Sequence, residues 1–127
     1  MKARKPAVLI VLLFFAGLNA CQNDLDSKQV YCTDIFIGIR IKVSGGPLTD
    51  HYTVRMSSSD TIRRPESTDP QTQWYTVLDD NYQRKLANQE DVFRFIGKRG
   101  DVIVVEEDYV IGADECHVYK VSGKDEI

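Results

Sequence analysis

From Ile35 to Val43 every second residue is a branched aliphatic: Ile35, Ile37, Ile39, Ile41 and Val43, with Phe36, Gly38, Arg40 and Lys42 in the gaps. A repeat of two places these side chains on one face of a β-strand, whereas a helix would scatter them around its axis. The spacing predicts one long strand with a buried face. Ser44-Gly45-Gly46-Pro47 then supplies turn chemistry, and Tyr52, Val54 and Met56 alternate in the run that follows, so the two runs read as a hairpin. The runs WYTVL (74–78), EDVFRFIG (90–97), VIVVEEDYVIG (102–112) and CHVYKV (116–121) add further strands. In the third of these, consecutive apolar residues predict a strand covered on both faces or one that changes sheet. Lys98-Arg99-Gly100-Asp101 reads as a tight turn, and residues 81–90 have room for one or two turns of helix. Residues 57–73 hold two prolines and, apart from Ile62, nothing to bury, which predicts a long surface loop. The expected fold is all-β: a two-sheet sandwich of six or seven short strands, with at most one short helix.

The first twenty residues obey different rules. Lys2, Arg4 and Lys5 precede an uncharged apolar run from Ala7 to Leu18. As a helix that run would reach roughly 18 Å, well short of a bilayer core of about 30 Å. A basic start followed by a short apolar run is the pattern of a cleaved export signal. Its end, Leu18-Asn19-Ala20-Cys21, resembles the bacterial lipobox, which implies cleavage before Cys21 and lipidation of its sulfur. Two or more acyl chains hold a domain durably at a membrane, so the partner implied by Cys21 is a membrane. The division that follows is a signal peptide over 1–20, a flexible tether over 21–29 and a β-sandwich domain over 30–127. The expected location is the cell envelope, lipid-anchored to the outer membrane on its periplasmic or its surface-exposed face. Asp24 and Asp26, close behind the lipidated cysteine, resemble the surface-export signals of Bacteroidota lipoproteins, and read equally well as a solvated linker.

The leader takes three of the chain's 16 basic residues and none of its 19 acidic ones, leaving the mature part with 13 basic side chains and a formal charge of −6. That balance argues against nucleic acid as a partner, because such binding rests on neutralising phosphates. With Cys21 lipidated, Cys32 and Cys116 are the remaining cysteines, and in an oxidising compartment they are expected to form a disulfide. Closing a loop of about 84 residues would stabilise the fold by roughly 4–5 kcal/mol in the chain-entropy picture. Separate buried thiols or a redox-active pair are the alternatives.

Residues able to do chemistry are sparse. His51, beside Asp50, and His117, which follows the expected disulfide cysteine Cys116, are the chain's two histidines; neither has catalytic or metal-ligand spacing, and both read as surface or packed side chains. A zinc site would lack ligands once Cys116 is bonded. Glu106-Glu107-Asp108 and Asp114-Glu115 could gather around calcium or serve as a glycosidase pair, but without the Asp-x-Asp-x-Asp-Gly order they read as solvated faces. No catalytic residue, metal site or cofactor is therefore assigned, and the ligand-binding residues are not identifiable. Trp74, Tyr75, Tyr82 and Tyr109 could form a stacking platform or fill the core.

The segment around Gly46-Pro47-Leu48 and the stretch Tyr109–Gly123 (YVIGADECHVYKVSG) resemble small Bacteroidota envelope lipoproteins with a transthyretin-like or carboxypeptidase-regulatory-like domain. The resemblance implies a two-sheet Greek-key sandwich, transthyretin-like or immunoglobulin-like, of about seven strands that acts as an accessory or binding unit, and it supplies no catalytic residues. The expected function is a non-enzymatic, lipid-anchored module that binds a glycan, peptide or protein. The alternatives are an envelope assembly protein that pairs through a sheet edge and a small hydrolase using acidic residues. Replacing Cys21 by Ser is expected to release the protein from the membrane fraction; unchanged retention after detergent-free washing would rule out lipid anchoring.

Overall fold

A computed structural model describes residues 29–63, 71 and 73–127. The leader, Cys21, the tether up to residue 28 and the middle of the 57–73 loop lie outside them. The described strands form two antiparallel sheets. One holds β1 (Gly38–Lys42) and β4 (Trp74–Asp79). The other runs in the order β3 (Thr61–Ile62), β2 (Asp50–Arg55), β5 (Gln89–Arg99), β6 (Val102–Ala113), β7 (Val118–Ser122). A 3-10 turn at Asp80–Tyr82 and a single short helix, α1 (Gln83–Leu86), lead from β4 to β5. The protein is an all-β, two-sheet sandwich.

The core lies where the sheets face each other. β1 contributes Ile39 and Ile41, with Val43 just beyond it, and β4 contributes Tyr75, Val77 and Leu78. Phe93 and Phe95 of β5 and Val105, Tyr109 and Ile111 of β6 come from the larger sheet. The pairing of β1 with β4 skips Val77, so this one extra residue lets both Val77 and Leu78 turn inward. Polar links cross the interior: Thr53 Oγ1 donates to the Val77 carbonyl at 2.7 Å, and the Leu48 N–H donates to the Tyr75 hydroxyl at 2.8 Å. Buried polar groups are stable when paired in this way.

Several expectations change. The strand predicted over 35–43 begins only at Gly38, and Ile35 is 64% exposed. Its first residues are held by Cys32 and by the Ile37 N–H bond to Asp80 at 2.7 Å instead of by a ladder. β1 and β2 are not a hairpin. The Ser44–Pro47 turn carries the chain from one sheet to the other, and Arg99 fastens it by donating to the Ser44 and Gly46 carbonyls at 2.6 and 2.8 Å. On β2 the inward residues are His51, Thr53 and Arg55, whose partners are Gly97, Phe95 and Phe93, so Tyr52 and Val54 face outward. β6 does not change sheet, and it is covered on both faces only at its end: Ile111, Gly112 and Ala113 are all buried, whereas Val102, Ile103 and Val104 are exposed where it leaves the Gly100 turn. The 81–90 helix, the Lys98–Asp101 turn and the strands at 74–78 and 116–121 form much as the sequence indicates.

The polar tail also joins the fold. Gly123, at φ +123°, turns the chain off β7, and a Cβ there would lie 2.2 Å from the Tyr109 ring. Residues beyond it run beside β1, with Lys42 N–H donating to Asp125, Ile127 N–H to Lys42 and Ser44 N–H to Ile127.

Cys32 and Cys116 are joined in a disulfide, with Cα atoms 5.3 Å apart across 84 residues of sequence. Cys32 precedes β1 and Cys116 precedes β7, so the bond ties the entry of the domain to the last strand of the larger sheet. Replacing both cysteines by alanine is expected to lower the unfolding free energy by about 2–5 kcal/mol, read from the shift in urea midpoint.

Candidate functional site

The inward face of the two-stranded sheet packs on the core, and its outward face carries the residues between the core positions. Gly38 lies opposite Asp79, and Arg40 opposite Thr76. With Phe36, these residues line a shallow open depression of about 290 Å³. Thr76 and Asp79, 7% and 6% exposed, are buried although they point away from the core, and they make a polar floor. Phe36, 62% exposed, forms an apolar wall. Gly38 keeps the space open, because a Cβ there would touch nothing within 4 Å. Arg40 stacks over the ring of Trp74, its carbon centre 5.7 Å from the ring centroid. Asp79 Oδ1 accepts from the Asn81 N–H at 3.0 Å and so starts the 3-10 turn that places the next carboxylate.

That next carboxylate, Asp80, joins three segments. Its Oδ2 accepts from the Ile37 N–H at 2.7 Å and its Oδ1 from the Val118 N–H at 2.9 Å. His117 Nδ1 lies 2.8 Å from Oδ2, and His117 Nε2 lies 3.1 Å from Thr33 Oγ1. A carboxylate only accepts, so Nδ1 carries a proton and donates to Asp80. Burial would raise the Asp80 pKa, but the Ile37 and Val118 amides and then His117 outweigh it and hold the carboxyl below its usual range. Hydroxyl, imidazole and carboxylate follow the order of a nucleophile, a base and an orienting acid. Mechanically, the same contacts pin the entry of the domain, the turn after β4 and the start of β7 to one another beside the disulfide.

The carboxylates singled out in the sequence do not converge. Glu106 and Asp108 both bond Arg94, at 3.1 and 2.7 Å. Glu107 points to the other face of β6 and meets Lys124. Asp114 accepts from the backbone of Cys116 and His117. Among the described residues, no group of His, Cys, Asp and Glu is placed to hold a metal ion, and no helix is long and apolar enough to cross a membrane. The aromatics scatter too: Tyr75, Tyr82 and Tyr109 fill the core, and only Trp74 faces outward, half-buried. His51 packs edge-on to Tyr75 with ring centroids 5.1 Å apart, and burial pushes its imidazole pKa down.

No known protein family, curated protein or solved structure matches the chain. The candidate site is therefore defined by geometry. Sequence reasoning missed Phe36, Gly38, Arg40, Thr76 and Asp79, because they are the between-core positions of two strands whose pairing is not local. The alternation around Ile39 and Ile41 did mark Gly38 and Arg40 as outward-facing.

Replacing Asp80 by Asn preserves shape and removes the charge. It is expected to cost about 1–3 kcal/mol of stability at neutral pH. Because the folded pKa is depressed, the carboxylate's contribution is complete above the ordinary carboxyl value and is lost as pH falls through the lower folded one. The stability gap between the two proteins, measured by urea unfolding, should narrow as the pH drops below about 4.

Proposed function

We propose that this protein is a lipid-anchored binding module of the cell envelope, held to the outer membrane through Cys21, and that it captures a saccharide in the depression between Phe36 and Arg40. The observation that carries the reading is the combination of the exposed Phe36 ring, the Arg40 guanidinium beside the Trp74 ring and the buried Thr76 and Asp79 lining the same depression. Sugars offer apolar ring faces to aromatic side chains and hydroxyls to polar ones, and a mixed surface of this kind serves both. The resemblance to envelope lipoproteins with accessory sandwich domains supports the same reading, which is non-enzymatic.

A second reading, an assembly protein that pairs through a sheet edge, draws on β7. It closes the five-stranded sheet and exposes Tyr119 and Val121. Concentration-dependent oligomers in solution would favour that reading.

Trp74 is the chain's single tryptophan, so its emission reports on the face that the depression shares. Titrating the intact protein with a panel of neutral and acidic oligosaccharides is expected to shift that emission saturably for at least one of them. A flat response across the panel would overturn saccharide binding.

A further inference from the structure

The arginines of this domain are mostly spoken for. Arg55 bonds Asp91, Arg63 bonds Asp50, and Arg94 bonds Glu106 and Asp108. Arg99 donates to the carbonyls of Ser44 and Gly46. Arg40 differs. Among the described residues no carboxylate pairs with it, and its one partner is the Trp74 ring beneath it. A guanidinium that contacts an indole ring and has no carboxylate partner keeps its N–H groups available for two-pronged bonding to a carboxylate. Arg40 lines the depression with Phe36, Gly38, Thr76 and Asp79, whose carboxylate accepts from the Asn81 N–H.

We infer that the depression takes an acidic sugar, a uronic-acid unit of an oligosaccharide, with its carboxylate on Arg40. This rests on the saccharide-binding reading above and narrows it. The carboxylate meets the Arg40 guanidinium, a ring hydroxyl reaches Thr76, and the apolar face of the pyranose lies against Phe36. Each contact uses a group whose chemistry a neutral sugar or a bare carboxylate would satisfy only in part. The volume of about 290 Å³ is at the small end of ligand sites and fits a ring unit better than a length of chain. Charge supports the choice, because in a strongly acidic mature chain an arginine without an acid partner is a local cation in an otherwise negative surface.

The test is a fluorescence and calorimetric titration of the full chain with an oligogalacturonide, with its neutral galactose counterpart and with a short peptide bearing a free C-terminal carboxylate. The oligogalacturonide is expected to bind at least about tenfold more tightly than the neutral oligosaccharide, the difference of one charge-assisted bond. Arg40→Gln should erase that preference. Gly38→Leu fills the depression from a position with open space and no positive φ, so it should abolish saccharide binding while circular dichroism and the disulfide remain unchanged. Equal binding of the acidic and neutral sugars, or an Arg40→Gln variant that keeps the preference, overturns the acidic-sugar assignment and leaves saccharide binding standing. Peptide binding as tight as the oligogalacturonide overturns the sugar assignment in favour of a carboxylate-terminated peptide. No binding by any saccharide overturns both readings.

Discussion

Asp80 is the point on which the rest of the domain hangs. One side chain accepts from the backbone of Ile37 and of Val118 and orients His117, which in turn reaches Thr33. Those partners come from the entry segment and from the approach to β7, which the disulfide also joins. The carboxylate is set by the residue before it, since Asp79 caps the 3-10 turn and so fixes where Asp80 points. A charge accepting several short bonds in a mostly buried site gains from the low local dielectric only while every partner stays in place. Its depressed pKa is the signature of that completeness.

Alternation made the class of fold legible and hid its connectivity. Ile39, Ile41, Phe93 and Phe95 all face the core, as a period of two requires. Pairing is another matter, because a Gly-Gly-Pro turn serves a hairpin or a sheet-to-sheet crossing equally well. What decides between them is Arg99, more than fifty residues away, bonding the carbonyls of that turn. The inward face of β2 was misjudged for a related reason. His51, Thr53 and Arg55 look polar in sequence, but each meets a partner that is visible only in three dimensions: the Tyr75 ring, the Val77 carbonyl and Asp91. The cysteine pairing was legible because few thiols remained. The binding face was not, because two outward faces combine there through a register that no local spacing encodes.

The two sheets treat their outer surfaces differently, and the difference locates the candidate site. On the five-stranded sheet, Arg94 bridges to Glu106 and Asp108, Arg63 and Lys98 lie over Tyr52, and the Tyr119 ring covers Gly112. Those side chains satisfy one another. On the small sheet, Phe36, Gly38 and Arg40 leave a hollow lined also by the buried Thr76 and Asp79.

The disulfide also governs how the domain would bear mechanical load. A pull on the chain upstream of Cys32 passes through sulfur directly to Cys116 and into β7, which is laddered along β6. Force therefore reaches the wide sheet through a covalent route and bypasses the short strand that follows the entry segment. Without that bond, the same tension would fall on the Asp80 contacts and then peel β1 from β4 one hydrogen bond at a time, the weakest direction in which a strand can be strained.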